Sequence, residues 1–283
     1  MTVTDFEFIC QILRERSGLV LTNDKAYLLE SRLLPVARKY KLATFDDLVR
    51  MIRAKSDEAV VKDVVEAMTT NESFFFRDTK PFDQFKQIVM PALLKNRPNK
   101  TIRIWSAACS SGQEAYSLAM ILTEMAPQLT GWRIEIVGTD LSTDVLNRAK
   151  EGVYSQFEVQ RGLPVTLLVK YFAQTGDRWQ ISQKIRSMVQ YKMFNLLHDP
   201  SMLGKFDVVF CRNVLIYFDQ PTKAKVLGAV AKLMPSDGYL FLGGAETVLG
   251  ISDRFQLLSG QRGIYGLTAG APVKAAAVGV GGR

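Results

Sequence analysis

The stretch that decides the fold is Ile102-Arg103-Ile104-Trp105-Ser106-Ala107-Ala108-Cys109-Ser110-Ser111-Gly112-Gln113-Glu114. Its first four residues suit a strand, the next seven are all small, and residues 114–125 have the composition of a helix. Further β-rich runs at 134–137, 208–211 and 239–242 are likewise separated by helix-like stretches. Strands alternating with helices imply a parallel, doubly wound, Rossmann-like α/β sheet. A turn of small residues at the carboxyl edge of the first strand lets a nucleotide-like ligand approach the backbone closely. The turn lacks the full GxGxxG spacing, so a merely tight strand-to-helix connection is the competing reading.

The second strand adds a carboxylate. It ends in Gly138-Thr139-Asp140, and an acid roughly 20 to 30 residues past a glycine-rich turn is placed to accept ribose hydroxyls. The alternative is that Asp140 caps a helix starting near Ser142. A nicotinamide dinucleotide and S-adenosylmethionine both fit these two signals. A pyrophosphate prefers a helix N-terminus without a nearby acid, however, and Gln113-Glu114 stands there. Glu114 suits the positive ammonium and sulfonium of S-adenosylmethionine, or it is an ordinary first-turn acid favoured by the helix dipole. After the strand at 206–211 comes Arg212-Asn213-Val214-Leu215-Ile216-Tyr217-Phe218-Asp219. Asn213 is placed there to read a cofactor and Tyr217 to face an acceptor, unless Tyr217 and Phe218 are core aromatics.

Upstream, over residues 1–70, apolar residues recur at helical spacing: Phe6, Ile9 and Leu13; Leu28, Leu29 and Leu33; Val60, Val61, Val64, Val65 and Met68. A small helical domain is expected, with Thr44 and Asp47 as a weak capping box opening a helix that runs through Ile52. Residues 71–100 read as a linker to an α/β domain over 101–267. Residues 163–192 fit neither rhythm, and Thr175-Gly176-Asp177 reads as a turn between short β-like pieces, so an inserted antiparallel β-subdomain is expected there. The tail 268–283 is Gly, Ala and Val with few large groups to bury, and it is expected to be disordered.

With 283 residues and 47% hydrophobic content, the chain can bury one large core, or a core plus a satellite. No apolar run approaches the roughly 18 to 20 residues of a membrane span, so the chain is read as cytoplasmic, unprocessed and not membrane-inserted. Cys10, Cys109 and Cys211 are odd in number and widely spaced, which suits reduced buried thiols better than disulfides or a metal site. His198 is the lone histidine and excludes a His-based triad or a multi-His metal centre. Thirty-six basic against 28 acidic residues give a net charge of +8, which favours an anionic partner.

Four motifs in order carry a resemblance across nearly the whole chain. They are Thr69-Thr70-Asn71-Glu72-Ser73-Phe74-Phe75-Phe76-Arg77-Asp78, Trp105 through Ser117, Gly138-Thr139-Asp140-Leu141-Ser142, and Cys211 through Asp219. Together they resemble the chemotaxis receptor methyltransferases known as CheR. The resemblance implies S-adenosylmethionine-dependent methylation of receptor glutamates, with S-adenosylhomocysteine as the product and no metal. It implies cofactor contacts from Asn71, Ser73, Arg77, Glu114, Asp140, Asn195, Leu196, Asn213 and Val214. For such a reaction Arg77 is suited to orient either the incoming carboxylate or the cofactor's own, and Tyr217 to hydrogen-bond the acceptor. A salt bridge from Arg77 to Asp78 or Glu72 is the competing reading of that arginine. Relatives often have Thr where Ser73 stands, and Glu-Pro around the position of Glu114, where this chain has Gln113 and Ala115.

An ionised glutamate is already a nucleophile, so the implied reaction needs no general base, which suits a chain with one histidine. In the family the helical N-terminal domain contacts the acidic helices of the receptor's cytoplasmic domain. Lys25, Arg32, Arg38, Lys39 and Lys41 are the candidate cations for that contact. The short turn at 175–177 argues against capture of a receptor's C-terminal pentapeptide, leaving Trp179 as a packing residue. Amino-methylating nucleic-acid enzymes carry Asn/Asp-Pro-Pro-aromatic after the fourth strand, where this chain has Arg212-Asn213-Val214-Leu215, so no nucleic-acid partner is expected. A catalytically idle module that binds cofactor and signals through its N-terminal helices is the rival from another class.

Overall fold

The computed structural model describes residues 3–55 and 57–268, so the expected disordered tail lies outside the described residues apart from Thr268. The N-terminal helices are α1 (Val3–Ser17), α2 (Ala26–Lys39), α3 (Phe45–Lys55) and α4 (Glu58–Met68). Their apolar stripes, Ile9 and Leu13, Leu29 and Leu33, Leu48 and Ile52, and Val60 and Val64, meet in one core of their own. Asp47 N donates to Thr44 Oγ1 at 3.1 Å and Thr44 N to Asp47 Oδ2 at 3.1 Å, a reciprocal capping box with Asp in the usual place of Glu. The helix it opens runs beyond Ile52 to Lys55.

A linker then leads into α5 (Lys80–Gln84), a π-helical turn (Phe85–Val89) and α6 (Met90–Asn96), which bury Phe82, Phe85, Val89, Met90 and Leu93 against the sheet. That sheet starts with β1 (Thr101–Ala107), continues through α7 (Gln113–Glu124) to β2 (Arg133–Asp140), and passes into α8 (Thr143–Glu151). The chain next makes an insertion: β3 (Val153–Ser155), α9 (Gln156–Gln160), α10 (Val165–Tyr171), β4 (Phe172–Thr175), β5 (Arg178–Ile181) and α11 (Gln183–Arg186). It returns as β6 (Val189–Met193), β7 (Val208–Cys211), α12 (Gln220–Leu233), β8 (Tyr239–Leu242), β9 (Phe255–Leu257) and β10 (Ile264–Leu267).

The large sheet has the order β6-β2-β1-β7-β8-β10-β9. Its first five strands are mutually parallel, and β10 runs antiparallel to both β8 and β9. Period-two alternation sends Ile102, Ile104, Val208 and Phe210 into one core and Trp105, Ala107, Val209 and Cys211 into the core on the opposite face. From β1 the chain winds outward to β2 and β6, then returns to β7 on the other side of β1. The crevice at the carboxyl ends of β1 and β7 is therefore the topological switch point, where ligands of open α/β sheets bind.

Two features depart from expectation. The small antiparallel sheet, ordered β3-β5-β4, contains the hairpin expected within 163–192, but its third strand lies upstream at Val153–Ser155. The strand Val189–Met193, all but its last residue read as part of the insertion, instead pairs with β2 in the large sheet. As an edge strand, β6 has one side unpaired and exposes Gln190, Lys192 and Met193, so its composition does not differ from that of a surface hairpin. Among the described residues no helix is long and apolar enough to cross a membrane.

Candidate functional site

A cavity opens at this switch point. Every residue named for the site from the sequence lines it: Asn71, Ser73 and Arg77 of the linker, Glu114 of α7, Asp140 at the end of β2, Asn195 and Leu196 after β6, and Asn213, Val214 and Tyr217 after β7. Ser17 and Leu19, at the exit of α1, complete the wall. The N-terminal helices therefore contribute to the cavity itself, which the sequence did not signal.

The turn after β1 is held in an unusual backbone. Ala108 and Ser110 adopt φ of 58° and 50°, and Gly112 adopts 92°. Left-handed non-glycine residues cost of order 1 to 3 kcal/mol each and persist where surrounding bonds fix them. At Gly112 a Cβ would lie 2.5 Å from the Tyr191 hydroxyl, so only glycine fits. The fixing bond at Ser110 comes from Asp140, whose Oδ2 accepts from Ser110 N at 2.9 Å while Oδ1 accepts from Ser142 N at 3.0 Å. Ser142 itself caps α8 through its hydroxyl, so the capping alternative for Asp140 does not hold. Asp140 is 8% exposed, and burial pushes its carboxyl above the ordinary carboxylate range against the pull of the backbone N–H groups. A carboxylate has about four lone-pair sites, so acceptor capacity remains after those two bonds.

Glu114 is a first-turn acid of α7, but it is not merely solvated. Its Oε1 accepts from Ser106 Oγ at 2.7 Å and its Oε2 from Arg212 Nη1 at 2.9 Å. Arg212, whose side chain is 1% exposed, also donates from Nη2 to Asp78 Oδ2 at 2.7 Å and to the Arg77 carbonyl at 2.9 Å. A buried guanidinium flanked by two acids satisfies the rule that buried charges are paired, and it stitches the linker, α7 and the β7 edge together. The sequence reading missed Arg212. The available signal is its position straight after an all-apolar strand, where a charge must find acids.

Arg77 does not form the salt bridge offered as its competing reading: Asp78 is taken by Arg212, and Glu72 by Arg161 at 2.6 Å. Instead Arg77 Nη1 donates to the Glu72 carbonyl at 2.9 Å, and its guanidinium lies 5.4 Å from the Phe74 ring centroid. A guanidinium has five N–H donors, so most remain for the cavity. Both aromatics after β7 line the cavity and pack on the same core, Phe218 as a buried member of it and Tyr217 half-buried at its edge. Val20 N donates to the Tyr217 carbonyl at 2.9 Å, fixing that segment to the N-terminal helices. Asn195 spends its amide on the same junction, donating to the Arg16 carbonyl at 2.6 Å and accepting from Leu197 N at 3.0 Å. Asn71 presents its carbonyl to Ser110 Oγ at 2.9 Å.

Cys109 and Cys211 are buried, which pushes both thiols well above their usual range, and Cys10 is half-buried. Among the described residues no group of three or more His, Cys, Asp or Glu is arranged to hold a metal ion. His198 is exposed and does not line the cavity.

Comparison with known proteins gives this geometry a context. The family profile described as CheR methyltransferase, all-alpha domain, matches residues 4–69, and that described as CheR methyltransferase, SAM binding domain, matches residues 71–264. The chain is 40% identical over 264 residues to chemotaxis protein methyltransferase Cher2 of Pseudomonas putida, covering 92% of this chain and 96% of that one. It is 41% identical, with the same coverages, to chemotaxis protein methyltransferase 1 of Pseudomonas aeruginosa. Chemotaxis protein methyltransferase 1 of Vibrio cholerae is 37% identical over 93% of this chain and 97% of its own.

Proposed function

The chain belongs to the CheR methyltransferase family, and from that premise we propose that it transfers a methyl group from S-adenosylmethionine to glutamate side chains of a chemotaxis receptor, forming methyl esters and S-adenosylhomocysteine. The observation that carries this reading is the convergence of Asp140, Glu114, Arg77 and Tyr217 on one cavity at the switch point, with the lone histidine elsewhere.

The residues present fit such a cofactor. Asp140 keeps acceptor capacity for ribose hydroxyls, and the left-handed turn at 108–112 lets a ligand meet the backbone. Glu114 offers a carboxylate to the methionyl ammonium, its charge shared with Arg212, and Asn71, Ser73, Leu196, Asn213 and Val214 line the rest. When bound, S-adenosylmethionine supplies an electrophilic methyl group whose leaving group is a neutral thioether. The protein's task is then positioning and exclusion of water. Arg77 holds a carboxylate in place through donors left over from Glu72 and Phe74, either the substrate's or the cofactor's, and Tyr217 donates its hydroxyl to the acceptor. No proton has to be removed, because a glutamate side chain is ionised at neutral pH.

The acceptor is a glutamate on the helical cytoplasmic domain of a receptor, approached by the N-terminal helices, and the enzyme works in the cytoplasm. Of the candidate docking cations, Arg32 is engaged with the Met68 and Thr69 carbonyls and Lys39 is paired with Asp63 at 2.6 Å, while Lys25, Arg38 and Lys41, like Lys39, are exposed. The test is transfer of tritiated methyl from S-adenosylmethionine to purified chemoreceptor, to RNA, and with no acceptor. Label in the receptor alone is expected. Label in RNA would replace the reading with a nucleic-acid enzyme, and cofactor binding without transfer to any acceptor would make the chain a signalling module.

A further inference from the structure

Glu246 sits behind the cavity, outside its lining, with 9% of its surface exposed. Its partners are all backbone N–H groups. Oε2 accepts from Asn213 N at 2.7 Å and Gly243 N at 2.6 Å, and Oε1 accepts from Val214 N at 3.0 Å and Ile216 N at 3.3 Å. Three of these four donors belong to the segment after β7, which carries Asn213, Val214 and Tyr217 into the cavity. Asn213 is held there at φ 58°, a left-handed conformation that asparagine tolerates better than most side chains.

The seat for this carboxylate is built. Gly243 lets the two loops touch: a Cβ there would lie 2.7 Å from both Asn213 Nδ2 and Glu246 Oε2. Both oxygens of Glu246 accept, each facing two N–H donors, a demand that a carboxylate with about four lone-pair sites meets at both ends. Glutamine has the same shape but turns one end into a donor facing N–H groups.

We propose that Glu246 is the positioning residue of the cofactor and acceptor loop: its carboxylate gathers the N–H groups of Asn213, Val214 and Ile216 and sets the Asn213–Tyr217 segment in its binding conformation. The inference rests on the proposed function for what the loop binds, but not for how the loop is held. Glu246 touches neither ligand in this account and acts through the loop.

The test compares Glu246→Gln with Glu135→Gln in the full chain. Glu135 is a partly buried acid near the start of β2, paired with Arg103 at 2.8 Å, five residues along the strand from Asp140. Three quantities are read: thermal stability, hydrogen exchange of the 213–216 amides, and calorimetric affinity for S-adenosylhomocysteine. Glu246→Gln should speed exchange at 213–216 and weaken product binding about ten- to a hundredfold. Glu135→Gln should lose stability with affinity and loop exchange unchanged, and Glu246→Asp should restore part of the affinity. Parent-like affinity in a folded Glu246→Gln, or affinity lost with loop exchange unchanged, would overturn the proposal. So would an equal loss of affinity in Glu135→Gln. If the parent bound no S-adenosylhomocysteine, the functional reading would fall, while the exchange of the loop amides would still decide whether Glu246 holds them.

Discussion

At the scale of single residues, Asp140 illustrates what a sequence can disclose. Its position after a strand and a glycine-rich turn suffices to nominate it, because the ribose acceptor of an α/β sheet occurs at a fixed topological place. Its bond to Ser110 N is not legible, since it depends on how far a turn of small residues folds back. Arg212 and Glu246 are less legible still. For Arg212 the place after an apolar strand hints at burial without naming the acids it meets, and a carboxylate whose partners are backbone amides leaves no side-chain pattern to read. Asp140→Ala should weaken S-adenosylmethionine binding by about 1.5 to 3 kcal/mol, measured by calorimetry, since charge-assisted bonds are lost. The pH dependence has a definite sign. Because burial raises the Asp140 carboxyl, it takes up a proton at a higher pH than an ordinary carboxylate does. As pH falls through that raised value, this group adds to folding stability, because the folded state binds the proton more tightly, while the charge proposed to accept the ribose hydroxyls is lost. Affinity for S-adenosylhomocysteine should therefore begin to fall above the ordinary carboxylate range. In Asp140→Asn it should be lower at neutral pH and nearly flat with pH; an unchanged profile would reject the assignment.

Among elements, the long periodic ones are readable and the short edge ones are not. Helices α1 to α4 follow their apolar stripes, and the four central parallel strands follow their apolar runs, because burial on one stripe or on both faces leaves a pattern. β6, β9 and β10 lie in the outer part of the sheet, and β3 is a three-residue edge of the small sheet, where pairing with a distant neighbour decides what the segment becomes. The β4–β5 hairpin bears on substrate capture. Its strands are joined by Gly176 and Asp177 alone, with Gly176 at φ 61°. Trp179 donates from its indole N–H to Gln156 Oε1 at 2.7 Å and packs against the core. So short a connection offers little backbone to frame a peptide, and the indole is already engaged. We therefore expect no saturable heat or Trp fluorescence change when a pentapeptide from a tethered receptor's C-terminus is titrated in. Receptors with and without that tail should be methylated at equal rates. Low-micromolar binding, with methylation lost on tail removal, would contradict this.

For the whole molecule, the N-terminal helices and the sheet domain share a wall. Glu66 accepts from Ser142 Oγ at 3.2 Å and from Thr143 N at 3.2 Å, Arg14 meets Asp219 at 2.6 Å, and Ser17 and Leu19 line the cavity. A receptor helix docked on the N-terminal domain would thus sit beside the acceptor end of the site. A net charge of +8, with Lys25, Arg38 and Lys41 exposed, supports docking to an acidic partner. Methylation should slow steeply as salt screens these charges, and Arg38→Glu should lower receptor methylation while leaving cofactor affinity unchanged. Equal rates for variant and parent at low salt would refute the docking role. The most direct measurement of the central claim is peptide mass spectrometry of a purified chemoreceptor after incubation with the enzyme and S-adenosylmethionine. The account predicts one added methyl on specific glutamates of the cytoplasmic helices, removed by mild base as an ester is, and reduced with the Asp140→Ala variant at limiting cofactor. A base-stable methyl on lysine, arginine or asparagine, or an unmodified receptor from an enzyme that binds the cofactor, would contradict it.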